Sequence, residues 1–288
     1  MSIFVDEKNK VLVQGATGHQ GVFHIGEMLG FGTKVVAGVT PGKGGEEVHK
    51  VPIFDNVQEG VDETGADTSL ILVPARFAKD AVFEALDAGI TTVVTITENI
   101  PFHDAMEFFH YANYKDAVLI GPNCPGIASP GKTKIGILPG SIFKKGNVGV
   151  ASRSGTLTYE IVNSLTEKDI GQSTCVGLGG DPIIGTTFID SLKEFEKDNE
   201  TKAVVLVGEI GGTAEEDAAE YIKENITKPV FAFIAGRTAP PGKRMGHAGA
   251  IIARGKGTAA SKIKAFEKAD VKLAKFPTDI ADLVEKYV

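Results

Sequence analysis

The sequence predicts an α/β protein built as two doubly wound units with mainly parallel sheets, and three observations carry that prediction. Short β-rich apolar runs alternate with longer amphipathic stretches almost throughout, the pattern of βαβ units on a parallel sheet. The alternation breaks once, where Pro122, Pro125, Pro130, Gly131, Pro139 and Gly140 punctuate the stretch from Gly121 to Asn147, and then restarts at NVGVA. At 288 residues the chain exceeds one comfortable core and fits two of ordinary size.

In the first half the periodicity places strands near 10–14, 34–38, 69–73, 92–96 and 117–120, with helices near 19–30, 76–88 and 102–115. After the break, strands are expected near 147–151, 173–177, 202–207 and 229–234, and helices near 155–168, 185–197, 214–226, 258–269 and 278–287. The expected layout is a Rossmann-like domain over 1–125, a linker over 126–146 and a flavodoxin-like domain over 147–288. One segment departs from the rhythm. AGRTAPPGKRMGHAGAIIARGKG is a long loop rich in Gly, Pro and cations, and it follows a strand, on the side where open α/β sheets bind ligands.

The bulk numbers exclude several classes. With 42% apolar and 23% charged residues the chain is globular. A net charge of -7 argues against nucleic acid as the main partner. The two cysteines, Cys124 and Cys175, lie far apart and support neither a disulfide framework nor a CxxC metal pair, so no metal is expected on this chain. The start, MSIFVDEKNKVLVQG, reads as neither a secretory signal nor a transit peptide, and no apolar run approaches membrane-spanning length. The expected setting is cytoplasmic, or the mitochondrial matrix if a targeting segment was removed.

The run VLVQGATGHQG places Gly15, Gly18 and Gly21 between the first strand and the first helix, where backbone N–H groups can meet phosphate oxygens. It is not a dinucleotide fingerprint. Thr17 occupies the third position that the fingerprint gives to glycine, and the second strand leads to GVTPGKGG, which has Lys43 but no acid before Glu46. A lysine there suits an extra ribose phosphate better than free hydroxyls. Coenzyme A, a 3′-phosphorylated ADP with a pantetheine thiol, fits; NADP fits less well. Cys124, in GPNCPG, follows a strand with no base or cation beside it, which reads as a pocket wall rather than a nucleophile.

In the second half, SRSGTLTYE follows a strand and opens a helix. Ser154, Gly155 and Thr156 there offer hydroxyls, N–H groups and the positive end of the dipole, although the same residues also serve as a plain N-cap. GEIGG puts Glu209 at the same sheet edge, where a carboxylate could hold one imidazole nitrogen and leave the other nucleophilic. Of the six histidines, only His247 is flanked by residues too small to bury it, in GHAGA, with the cations of GKRM preceding it.

In order and spacing, VQGATGHQG, VTPGKGG, ITENIP, IGPNCPG, SRSGTLTYE, GQSTCVGLGGDP, GEIGG and AGRTAPPGKRMGHAGAI resemble the alpha subunits of the succinate–CoA ligase (succinyl-CoA synthetase) family, from end to end of the chain. The resemblance implies a CoA-binding first domain, a ligase-type second domain and a beta-subunit partner that carries the Mg-nucleotide, in a heterodimer or heterotetramer. It implies interconversion of succinyl-CoA, nucleoside diphosphate and phosphate with succinate, CoA and nucleoside triphosphate, a step of the tricarboxylic acid cycle. By the same likeness His247 is the phosphohistidine, Glu209 orients its ring, Ser154–Thr156 hold the phosphoryl group and Tyr159 lies near the substrate. Gly15, Thr17, Gly18, His19, Gln20, Lys43, Ile96, Thr97 and Glu98 would line the CoA site, with Asn123 and Cys124 near its thiol end. Two positions depart from the pattern: His19 stands where the family often has serine, and Arg76 where it often has proline. Either could alter how CoA is held.

Three other readings stay open on the residues alone. One is a sister CoA ligase acting on malate, citrate or acetate. Another is an NADP-dependent oxidoreductase, against which the glycine spacing argues. The third is a non-enzymatic CoA-sensing module, in which an intact GHAGA loop would have no purpose.

Overall fold

A computed structural model describes residues 2–240, 242–253 and 256–288. They divide into two compact units: residues 4–140 with 183–185, and residues 2–3 with 141–182 and 186–288.

The first unit runs β1 (Lys10–Gln14), α1 (His19–Phe31), β2 (Lys34–Val39), β3 (Glu47–Val48), β4 (Val51–Phe54), α2 (Val57–Thr64), β5 (Thr68–Ile71), α3 (Ala75–Asp87), β6 (Thr92–Thr95), α4 (Phe102–Tyr114), β7 (Val118–Ile120), β8 (Gly126–Ser129) and β9 (Thr133–Gly136). Its sheet has the order β3-β4-β2-β1-β5-β6-β7, parallel except for β3. Without the edge strand β3 this is the doubly wound order 3-2-1-4-5-6, which reverses between β1 and β5. Val11, Leu12 and Val13 are all fully buried, so β1 is a continuous apolar run rather than an alternating one, as expected of a strand covered on both faces. Gln14, also buried, satisfies its amide by donating to the Ala81 carbonyl at 3.1 Å and accepting from the Ser69 hydroxyl at 2.9 Å.

The second unit holds β10 (Lys145–Ser152), α5 (Gly155–Glu167), β11 (Gln172–Gly177), α6 (Phe188–Lys197), β12 (Ala203–Glu209), α7 (Ala214–Asn225), β13 (Val230–Ala235), α8 (Ala259–Lys268), β14 (Lys272–Leu273) and α9 (Asp279–Val284). Its parallel strands follow the order β11-β10-β12-β13-β14, the flavodoxin-like 2-1-3-4-5, which reverses between β10 and β12. Val148, Val150, Val205, Val207 and Phe231 from the sheet pack with Ile161, Val162 and Leu165 of α5 and Ile280 and Val284 of α9. Among the described residues no helix is long and apolar enough to cross a membrane.

Three expectations need correction. Residues 126–146, read as a linker, contain an antiparallel hairpin, β8–β9, whose strand residues are all buried. Glycine permits the close backbone approach of the two strands: a Cβ on Gly126 would lie 2.1 Å from the Ile135 carbonyl oxygen. Helix α2 and the strands β3 and β4 add to the expected layout, being too short to show a period in the sequence. The helix expected from 185 begins at Phe188, where Thr187 and Asp190 form a capping box.

Candidate active site

The carboxyl edge of the second unit's sheet gathers chemistry at its reversal point. Strand β12 ends at Glu209, and β10 is followed by Arg153 and Ser154. The loop after β13 brings His247 back to this edge, so that both carboxylate oxygens of Glu209 lie 2.9 Å from the imidazole Nδ1. The approach depends on glycine. A Cβ on Gly180 would sit 2.2 Å from the His247 Cγ and 2.4 Å from its Nδ1, so residue 180 cannot carry a side chain while the ring is in place. The loop is tied just after the histidine and at its C-terminal end: the Gly249 N–H donates to the Gly180 carbonyl at 3.0 Å, and the Gly211 N–H to the Gly257 carbonyl at 2.8 Å. Pro241, Arg254 and Gly255, within the long loop singled out from the sequence, lie outside the described residues.

Charge sets the character of the ring. The Glu209 hydrogen bond raises the His247 pKa above its ordinary value, against partial burial; the Glu209 charge and Asp181 add to the rise, and Arg153 opposes it. Glu209 itself is buried, with 8% of its side chain exposed. Behind it, Arg153 reaches Glu209 Oε1 at 3.4 Å and Glu215 Oε1 at 3.1 Å. With Nδ1 engaged by the carboxylate, Nε2 is the ring nitrogen left for chemistry.

Ser154 is the N-cap of α5, its hydroxyl accepting from the Leu157 N–H at 3.4 Å. Gly155 and Thr156 form the first turn, which carries no acidic residue to offset the positive end of the helix dipole. Tyr159 lies one turn further on, half-buried.

The CoA candidates follow strands of the other sheet. Gly15 and Thr17 follow β1, Gly18 caps α1, and His19 and Gln20 begin that helix. Gly15 adopts φ +83°, and a Cβ on Gly21 would lie 2.2 Å from its carbonyl oxygen, so this turn requires glycine at both positions. The first turn of α1 also carries no acidic residue. Lys43 is exposed beyond β2 and pairs with Glu46 at 2.9 Å. The loop's own N–H groups, Gly44 foremost, hold the Asp55 carboxylate and lower its pKa. Ile96, Thr97 and Glu98 follow β6, and Asn123 and Cys124 follow β7; the Asn123 N–H donates to the Thr97 carbonyl at 3.0 Å. Cys124 is buried, and burial pushes its thiol up to about 12, which suits a wall and not a nucleophile. Arg76 stacks over Phe77, 4.7 Å from the ring centroid.

Sequence reasoning brought Glu209 and His247 forward but gave no role to Arg153, Gly180, Glu215 or Lys262. Arg153 lies in SRSGTLTYE and Gly180 in GQSTCVGLGGDP, and their places next to Ser154 and Asp181 after strands are the available signal. Glu215 and Lys262 looked like ordinary helix-surface charges.

Comparison with known proteins matches both halves of the chain. A family model described as a CoA binding domain matches residues 6–99, and one described as CoA-ligase matches residues 151–272. The chain is 62% identical over 284 residues to the succinate–CoA ligase [ADP-forming] subunit alpha 2 of Archaeoglobus fulgidus, covering 99% of each. It is 59% identical over 280 residues to the corresponding alpha subunit of Staphylococcus aureus, covering 97% of this chain and 93% of that one. Among solved structures, an ATP citrate lyase from Methanosaeta concilii in complex with (3S)-citryl-CoA superposes with a TM-score of 0.90 at 25% identity over 99% of this chain. A dinucleotide-forming acetyl-coenzyme A synthetase from Ca. Korarchaeum cryptofilum does so with a TM-score of 0.75 at 22% identity over 95% of it. The chain spans 50% and 59% of those two longer chains, and the likeness to them concerns the fold.

Proposed function

The chain belongs to the succinate–CoA ligase alpha-subunit family, and we propose that with a beta subunit it forms the ADP-forming enzyme, using His247 as a phosphoryl carrier. The observation that carries this reading is the pairing of the His247 Nδ1 with the Glu209 carboxylate at 2.9 Å, which leaves Nε2 as the nucleophile.

Three balanced steps follow. Inorganic phosphate attacks the thioester carbonyl of succinyl-CoA; the C–S bond breaks, giving succinyl phosphate and CoA. Nε2 of His247 then attacks phosphorus; the bond to the acyl oxygen breaks and succinate leaves. ADP, bound as its Mg complex by the beta subunit, takes the phosphoryl group from Nε2 and becomes ATP. The N-terminus of α5, with Ser154, Gly155 and Thr156, offers N–H groups and dipole to the phosphoryl oxygens, and Tyr159 borders the succinyl end. Gly246, at φ +82°, gives the histidine loop the backbone freedom to carry its load between subunits.

CoA would lie along the carboxyl edge of the first sheet. Gly15, Thr17, Gly18, His19 and Gln20 would cradle its phosphates, Lys43 its ribose 3′-phosphate, Ile96, Thr97 and Glu98 its middle, and Asn123 and Cys124 its thiol end. The glycines at 15, 18 and 21 and the uncompensated start of α1 suit an anion there. A cytoplasmic enzyme of the tricarboxylic acid cycle, assembled as a heterodimer or heterotetramer, is the biological setting that this reading implies.

The test is co-expression with a beta subunit and incubation with γ-labelled ATP. Wild type should take up acid-labile, base-stable label that succinate plus CoA discharges and malate plus CoA does not, and His247→Asn should take up none. Label in both proteins, or in neither, would remove the phosphohistidine.

A further inference from the structure

Glu209 is the visible end of a buried chain of alternating charges. Arg153 reaches Glu209 Oε1 with Nη2 at 3.4 Å and Glu215 Oε1 with Nη1 at 3.1 Å. Lys262 Nζ closes on the other oxygen of Glu215, then on Glu216 Oε2 at 2.9 Å. The Glu215 and Lys262 side chains are 0% exposed and that of Arg153 only 7%. These groups come from the end of β10 and the first turns of α7 and α8, and they converge on one turn, Glu209–Gly212. They hold its backbone as well. The Glu209 N–H donates to Glu215 Oε1 at 3.0 Å, Arg153 Nη1 donates to the Gly211 carbonyl at 3.3 Å, and Lys262 Nζ donates to the Gly212 carbonyl at 3.1 Å.

A chain of buried charges is poor evidence of stability, because apolar residues of the same volume often serve as well or better. What this chain does supply is a fixed place for one carboxylate. Gly211 and Gly212 both have positive φ, so the turn that carries Glu209 needs an external clamp to hold one conformation. We propose that Arg153, anchored from behind by Glu215 and Lys262, is the positioning residue of the Glu209–His247 pair: it fixes the carboxylate against Nδ1 and shares its negative charge, so that the imidazole is oriented without being held permanently protonated. The inference rests on His247 as the phosphoryl acceptor. The second half of the role is electrostatic. Glu209 and Asp181 favour the protonated ring, which is no nucleophile, and Arg153 acts against them as a cation among the described residues.

Two readouts test this in the full chain: the titration midpoint of His247 by NMR with isotope-labelled histidine, and the rate of phosphoryl uptake in the complex with a beta subunit. Arg153→Met should raise the midpoint by about one unit, the size expected when a nearby like charge is lost. It should slow uptake about ten- to a hundredfold and move the pH–rate profile to higher pH, with the KM for CoA unchanged. Arg153→Lys should restore the midpoint but only part of the rate, since an ammonium group cannot span two carboxylates as a guanidinium does. Lys262→Met, nearly equal in volume and remote from the ring, should slow uptake in the same direction by a smaller factor. It serves as the test if Arg153→Met does not fold. A midpoint within about 0.2 unit of wild type together with an uptake rate within about twofold, in Arg153→Met or, if that variant does not fold, in Lys262→Met, would overturn the proposal. If wild type takes up no label, the phosphohistidine reading fails, and the titration still reports on Arg153.

Discussion

Both oxygens of the Glu209 carboxylate lie 2.9 Å from the Nδ1 of His247, so the carboxylate straddles the ring nitrogen rather than touching it at one corner. Because the pair raises the imidazole pKa, phosphoryl uptake by wild type should climb as pH rises through that raised value. Glu209→Gln should move the midpoint of the climb to lower pH and slow uptake about tenfold at the plateau. A profile unmoved by the substitution would show that the carboxylate does not govern the ring.

The same pairing has a stability counterpart. A histidine whose folded pKa lies above its ordinary 6.5 contributes stability that is fully present below that value and fades as pH rises through the folded one. The Tm deficit of Glu209→Gln relative to wild type should therefore be larger near about pH 5.5 than near about pH 8.5. Equal deficits at both would deny the linkage.

Gly180→Ala should disable the histidine without touching it chemically. The added methyl would sit 2.2 Å from the ring, and the imidazole must leave its carboxylate to make room. Phosphoryl uptake should fall about a hundredfold, the scale set by misplacing a reacting group by an ångström or so. CoA affinity, measured by calorimetry, should stay at wild type, because the proposed CoA residues belong to the other unit. An active Gly180→Ala would mean that the ring reacts from another position.

Much of this was legible because parallel sheets announce themselves as repeated apolar runs, and strand ends mark where ligands bind. Glu209 could be found at the end of such a run, and His247 by its small neighbours, although 38 residues separate them. The support behind them could not. Lys262 sits in KIKAFEK, where every lysine looks like the wet face of an amphipathic helix, and Glu215 sits in a first turn where acids complement the dipole anyway. Only the packing of α7 and α8 shows that these two side chains face inward. The β8–β9 hairpin was hidden for the opposite reason. Its glycines and prolines read as irregular chain, whereas Gly126 and Gly136 serve close strand contact.

Cys124 should be a spectator. Burial pushes its thiol up to about 12, and Cys175 is buried with its thiol raised as well. Iodoacetamide at neutral pH should modify neither in the native chain and both after denaturation, as read by intact mass. Cys124→Ser should keep phosphoryl uptake within about twofold of wild type. Rapid native labelling of Cys124, or a dead Ser variant, would return the thiol to the mechanism.

Lys43 offers a two-sided test of the CoA assignment. Its ammonium pairs at the surface with Glu46, with about half of each side chain exposed, so the ion pair is weakly held and a phosphate can displace it. Lys43→Ala should weaken CoA binding about tenfold, roughly 1.4 kcal/mol, and leave dephospho-CoA, which lacks the 3′-phosphate, unaffected. Glu46→Gln removes the competing carboxylate and should tighten CoA by about two- to threefold, more at low salt than at high. If Lys43→Ala weakened both ligands equally, the lysine would be acting on the pyrophosphate or on loop structure, and the 3′-phosphate would have to be sought elsewhere along the carboxyl edge of this sheet.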